Sequence, residues 1–264
     1  MLKKFASIIK KINGNKPWGL YSFSIWSYTK IRNFLNFFRG FHRFLHTRNT
    51  FKKLAKKHNI KIDGYFPFFL DCFENAGNLD IHYFLQDIYM AQKILEKRTK
   101  EHYDIGSRID GFIAHLLSSP DIEKVTLLDV RPLSLHISKL GFIQTDATNL
   151  AEIEDNTLNS ISSLHALEHF GLGRYGDPID PVACYKAMQS IQRVVKKDGY
   201  IYISGPISNN TEIWFNGMRK FSPLDIINNF DKCDLLEFSV INNYKIKTYN
   251  ADETIVGLKN NSLP

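Results

Sequence analysis

The sequence predicts an α/β fold: a doubly wound, mostly parallel sheet with helices on both faces, preceded by a basic helical N-terminal arm. Three observations predict it. Five short apolar runs, HYDIG (102–106), VTLLDV (125–130), GFIQTD (141–146), SISSLH (160–165) and YIYISGP (200–206), alternate with segments long enough for crossover helices. One of those segments sets Val182, Tyr185, Met188, Ile191 and Val195 on a single helical face. Residues 1–60 hold 14 Lys and Arg and no Asp or Glu, a composition unlike that of the rest of the chain.

The elements follow in order. Within the arm, KIRNFLNFFRGFHRFLH spaces Ile31, Phe34, Leu35, Phe38, Phe41 and Leu45 as one helical stripe, with Arg32, Asn36, Arg39 and Arg43 opposite. Residues 61–79 read as a connector. From residue 80 the body begins with a helix that repeats apolar residues at Ile81, Phe84, Leu85, Ile88, Ala91 and Leu95. The five runs then supply the strands of a Rossmann-like sheet over 80–264. The 182–195 helix has Asp180 as cap and Pro181 in its first turn, and is expected to stop near Gly199. SPLDIINNF adds a helix capped by Ser222, and DLLEFSVIN and ETIVGLK read as two closing strands.

Composition narrows the classes. Of the 264 residues, 44% are hydrophobic and 23% charged, which is globular. The net charge of +7 hides a polarity: beyond the arm, 20 basic residues face all 27 acidic ones. Such an arm seeks an anionic surface. Its stripe can lie in a membrane interface through residues 1–50 or dock on the protein's own body, and nothing in it reads nucleic-acid bases. Cys72, Cys184 and Cys233 form no CxxC pair, so a reducing, cytoplasmic compartment is expected, with peripheral attachment to the inner face of the membrane. Lys10 and Lys11 interrupt the apolar start MLKKFASIIKKI, and the uncharged run 17–29 is short, so neither export nor a membrane span is expected.

In an open parallel sheet the ligand crevice lies outside the carboxyl ends of the strands. That rule selects Asp104 and Gly106, Asp129 and Arg131, Asp146, and the stretch from His165 to Asp177. Asp129 at a strand end can hold a ribose or pair with Arg131, and Asp146 can accept from the amino group of a base. His165-Ala166-Leu167-Glu168-His169 is HxxEH, a zinc pattern when both histidines share a helical turn. The strand reading ends at His165, so the imidazoles are not expected to converge on a metal, and none is assigned. His165, Glu168 and His169 are instead acid-base candidates, with Glu168–His169 pairing as the alternative. GLGRYGDP then reads as a polar lid, in which Arg174, Tyr175 and Asp177 meet a substrate, or as a compact Asp-Pro turn.

The series HYDIGSR, VTLLDVRP, FIQTDATNL, SLHALEHF and QRVVKKDGYIYISGP resembles the motifs of class I S-adenosylmethionine-dependent methyltransferases. LEHFGLGRYGDPIDP with FNGMRKFSP resembles a methyltransferase-like group known as the domain of unknown function number 268. The resemblance implies S-adenosylmethionine as cofactor, with Asp104 and Gly106 beside its methionine portion, Asp129 on the ribose, and Asp146 with Ala147 at the adenine. One departure is plain: of the family's GxGxG only Gly106 stands, with Arg108 and Asp110 in place of the other glycines.

The leading expectation is thus a methyltransferase acting on a hydroxyl or amine of a polar small molecule, a saccharide or a membrane-linked substrate. Another sugar or nucleotide reaction on the same fold, a metal-dependent hydrolase using HxxEH, and a non-catalytic binding module are the alternatives.

Overall fold

The computed structural model describes residues 18–65, 67–73, 80–242 and 245–251, with only the backbone of 18–33 and of Asp71. The chain divides into two compact units, 1–78 and 79–264.

The first unit is built on α1 (Trp18–Lys57), a helix far longer than the stripe alone marks out. Residues 61–73 do more than connect. Phe69 sets its ring edge-on to Phe37, Phe41 and Phe44. A Cβ on Gly40 would stand 1.7 Å from the Phe69 carbonyl oxygen, so only glycine admits that approach. A short 3₁₀ turn, Asp71–Phe73, follows.

In the second unit, α2 (Ile81–Glu96) starts at Asp80, whose carboxylate accepts the Tyr83 N–H. It buries Gln86, Ala91 and Ile94, while Phe84 of the expected apolar stripe stays 45% exposed. Then come β1 (Glu101–Ile105), a π-helical turn Ile109–Ile113 running into α3 (Ala114–Leu117), β2 (Lys124–Asp129), β3 (Leu140–Gln144) and β4 (Leu158–Leu164). After a 3₁₀ turn, Leu167–His169, the chain forms α4 (Ala183–Val194), β5 (Val195–Ser204), the small pair β6 (Glu212–Trp214) and β7 (Met218–Lys220), α5 (Pro223–Asn229), and the hairpin β8 (Glu237–Asn242) and β9 (Lys245–Asn250).

The main sheet has the order β3-β2-β1-β4-β5 with all neighbours parallel. Strand order reverses between β1 and β4, which makes their carboxyl ends the ligand crevice. One face packs Ile105, Ile161, Met188 and Ile191 with Phe221 and Phe230; the other packs Ile94, Phe112, Ile113, Leu116 and Val125. Both faces are covered, which is why these strands read as nearly unbroken apolar runs.

Three boundaries differ from expectation. The α4 helix stops at Val194, because Val195 already pairs with Leu158 in the sheet; residues 196–199 bulge out before Tyr200 resumes opposite Ser160. The Asp180 carboxylate does accept the Val182 N–H, whereas the Ser222 side chain makes no capping bond and only its carbonyl opens α5. The partner of β8 is Lys245–Asn250, joined across residues 243–244, since a hairpin pairs the nearest strand; ETIVGLK lies outside the described residues. Tyr89 and Lys93 tie this hairpin to α2, Lys93 Nζ lying 2.7 Å from Glu237 Oε2 and the Tyr89 hydroxyl donating to the same carboxylate.

Candidate functional site

β1 delivers Asp104, fully buried, to the reversal point. Its carboxylate accepts from Ser107 N (2.9 Å), Ser107 Oγ (2.8 Å) and Ser162 Oγ of β4. Burial pushes its pKa up to about 6 against those hydrogen bonds. Behind it His102, also fully buried, lies between Ser160 Oγ (2.8 Å) and Ser162 Oγ (2.9 Å), and burial drives its pKa down to about 3. A chain from His102 through Ser162 and Asp104 to Ser107 thus ties the central strands to the following loop. Sequence reading missed His102, Ser160 and Ser162. The available signal was two serines two apart in a strand that must be buried on both faces.

Gly106 follows at φ +72°, and a Cβ there would meet the Ala166 Cβ at 3.2 Å. Here the loop after β1 and the segment after β4 come close, which only the one glycine of the motif has to permit. The substituted positions lie elsewhere: Arg108 and Asp110 form an exposed bidentate pair (3.1 and 2.8 Å). They do not line the cleft. Gly111 has a different task, since a Cβ there would strike Asp87 of α2 at 2.2 Å.

The cleft itself holds about 260 Å³ between Gly106, Ser107, Leu128, Asp129, Arg131 and Phe142. At its edge Asp129 is gripped by Arg131: Oδ1 accepts the Arg131 backbone N–H and Nε (both 2.9 Å) and Oδ2 accepts Nη2 (2.6 Å). Burial favours the neutral acid, but the Arg131 bonds overrule it and hold Asp129 below the usual carboxylate range. Two oxygens carry about four acceptor positions, so Asp129 retains one with Arg131 in place. Asp146, after β3, accepts the Thr148 N–H through Oδ1 (2.8 Å), and Ala147 is buried in the core.

At the carboxyl end of β4, His165 leaves the strand at φ +52° and the 3₁₀ turn brings Glu168 back to it. His165 Nδ1 lies 3.0 Å from Glu168 Oε1, and His169 Nε2 lies 3.8 Å from the same oxygen. The turn folds both imidazoles around this one carboxylate. Among the described residues no group of three or more His, Cys, Asp or Glu is disposed to hold a metal. Glu168 is 2% exposed and its Oε2 is buried without a hydrogen-bond partner. His165 Nε2 faces His82 Nε2 of α2 at 3.2 Å, and Tyr83 sets its ring edge-on to His165. Burial, then the neighbouring His165, lowers the His82 pKa. His82 and Tyr83 fall outside the motif series, and no local pattern marks them.

The loop after the turn is organised from within. Asp177 accepts from Gly171 N (2.7 Å), Gly173 N (3.3 Å) and Tyr175 N (3.1 Å), and Arg174 Nη1 donates to the Gly217 carbonyl (3.1 Å). These bonds are those of the compact Asp-Pro turn. Tyr175 is exposed: Arg131 stands 4.9 Å over its ring, and His169 meets it edge-on. Both flanks of the loop meet at Arg219, 1% exposed, which donates to the Phe170 carbonyl and, at 3.0 Å, to that of Pro181. This arginine lies within FNGMRKFSP, where no spacing singles it out.

Residues 137–252 match the family described as "Caenorhabditis protein of unknown function, DUF268". The matched segment spans less than half of the chain. It holds β3 to β9 and the whole 165–177 stretch. No curated protein matches the chain. Among solved structures, a SAM-dependent methyltransferase from Leishmania major superposes with a TM-score of 0.50 at 15% identity, covering 66% of this chain and 74% of that one. The N-methyltransferase NodS from Bradyrhizobium japonicum, in complex with S-adenosylhomocysteine, gives 0.47 at 12% identity over 67% and 85%. A Galdieria sulphuraria chain assigned as a sarcosine dimethylglycine methyltransferase gives 0.45 at 18% identity, and this chain spans 64% of its length, under two thirds. The fold of the second unit is that of the class I methyltransferases.

Proposed function

We propose that the second unit is an S-adenosylmethionine-dependent methyltransferase that acts on a hydroxyl or amine of a polar small molecule. One observation carries this reading: an imidazole backed by a buried carboxylate, His165 on Glu168, stands at the carboxyl end of β4 directly beside the Gly106 approach to Ala166. When bound, S-adenosylmethionine supplies an electrophilic methyl group on a sulfonium that departs as a neutral thioether.

The chain's residues fit that cofactor. Gly106 presents backbone without a side chain to the methionine portion, and the Asp104 bonds to Ser107 hold that loop. Asp129 offers its remaining acceptor position to a ribose hydroxyl, and Asp146, through the oxygen not engaged by Thr148, to the adenine amino group. On the acceptor side Glu168 orients the His165 ring. A carboxylate only accepts, so His165 carries its proton on Nδ1 and presents Nε2 as the base. His82 shares that nitrogen, and the acceptor displaces it on binding. Positioning supplies most of the rate in such a displacement, and a well-placed base adds about 10² to 10⁴-fold.

Calorimetric titration with S-adenosylmethionine, beside Asp129→Ala, tests the reading. Saturable heat weakened in the variant is expected; no heat at high concentration overturns it. His165→Asn then keeps cofactor binding and loses about 10² to 10⁴-fold in transfer to an acceptor found by screening.

A further inference from the structure

We propose that the first unit lies on an anionic membrane surface through the phenylalanine face of α1. Phe34, Leu35, Phe38 and Phe41 are 63, 52, 54 and 43% exposed on the helix. Positions 34, 38, 41 and 45 fall on one side at 100° per residue, and Arg39, Arg43 and Lys57 on the other. Phe69 covers the flank made by Phe37, Phe41 and Phe44, and Phe34 and Phe38, edge-on to each other, remain outside its reach. A contiguous exposed row of aromatic side chains marks an interaction surface.

Charge selects the occupant. The helix carries nine Lys and Arg from Lys30 to Lys57, and residues 1–60 contain no acid to neutralise them. A second copy would set like charge against like. A nucleic-acid backbone would match the cations and leave the phenylalanines in water. The interface of an anionic bilayer takes both: rings enter the acyl boundary while the cations meet headgroup phosphates. Among the described residues no helix is long and apolar enough to cross a membrane, so the helix lies in the interface plane. Over residues 34–45 it offers an apolar contact roughly 18 Å long, and Lys52 and Lys56 follow on the same side.

The test uses the full chain with sedimented vesicles of phosphatidylcholine alone or mixed with phosphatidylglycerol. Binding is expected to the mixed vesicles, weakened by salt. Phe34→Ser with Phe38→Ser should lower partitioning about tenfold for each ring, and Arg39→Gln with Arg43→Gln about fivefold for each charge. Both phenylalanines face solvent, so neither change opens a cavity, and unchanged circular dichroism guards against a folding defect. Equal binding to neutral vesicles, or phenylalanine variants that bind like the parent, overturns the proposal. So does dimerisation in light scattering that the Phe34→Ser, Phe38→Ser variant abolishes while vesicles fail to bind, or tighter binding to duplex DNA that this variant leaves intact.

Discussion

His102→Gln should change how stability depends on pH. The imidazole titrates near 6.5 when unfolded and at about 3 in the native protein, with burial as the cause. A separation of about 3.5 pH units at about 1.4 kcal/mol each gives roughly 4–5 kcal/mol. The native state refuses a proton that the unfolded chain accepts. The contribution is therefore complete above about pH 6.5 and is lost as pH falls toward 3, by about 1.4 kcal/mol per unit. Asp104, raised from 3.8 to about 6, works in the opposite sense. Its native form holds a proton that the unfolded chain releases, so its contribution is complete below about 4 and lost as pH rises through 6, roughly 3 kcal/mol in all. Between about pH 4 and 6 the two nearly cancel, and below 4 only His102 acts. Glutamine keeps a donor and an acceptor for Ser160 and Ser162 and forfeits the ring packing against Phe112 and Tyr202, costing about 2–3 kcal/mol at pH 7. Urea unfolding followed by circular dichroism from pH 3.5 to 7.5 supplies the two curves, and groups common to both cancel in their difference. The variant should gain stability from pH 6 to 4, where the parent stays level. Parallel curves would refute the reasoning.

Other expectations follow from the same geometry. Arg131→Met frees two acceptor positions on Asp129, the backbone N–H bond remaining, and should tighten S-adenosylmethionine by up to about tenfold, the worth of one hydrogen bond to a charged group; unchanged affinity in calorimetry would remove the ribose from Asp129. Gly106→Ala imposes a left-handed backbone on a side chain and presses on Ala166, costing about 1–2 kcal/mol. Differential scanning calorimetry should show Tm lower by about 2–8 °C. Arg219→Met leaves the Phe170 and Pro181 carbonyls without this donor, costing about 1–3 kcal/mol. Limited proteolysis should then cut between 170 and 181 faster while cofactor affinity is kept.

Strands β1 to β4 were legible within about two residues, and β5 only from Tyr200 on, because helices cover both faces of the sheet and an unbroken apolar run bounded by polar turns has few other readings. The alternation of strands and helices put the ligand crevice at the carboxyl ends of the strands, and that rule selected Asp104, Asp129, His165 and Glu168. The end of α4 was misread because Gly199 looked like a helix stop. It serves the bulge instead, where a Cβ would meet Val195 and the Leu158 carbonyl at 2.6 and 3.0 Å. His82 was not legible at all, since its partner lies 83 residues away and no spacing rule reaches that far. Arg131 was visible as a partner for Asp129, but not that it would take three of the acceptor positions.

The loop from 170 to 181 is drawn together at both ends by one buried guanidinium and cross-braced inside by Asp177. A segment so closed upon itself spends three of its backbone donors on its own aspartate. What it turns outward toward its neighbours is Tyr175, resting between Arg131 on one side and His169 on the other. The same tyrosine touches the arginine that grips Asp129 and a histidine beside Glu168, so one ring joins the two groups of candidate residues.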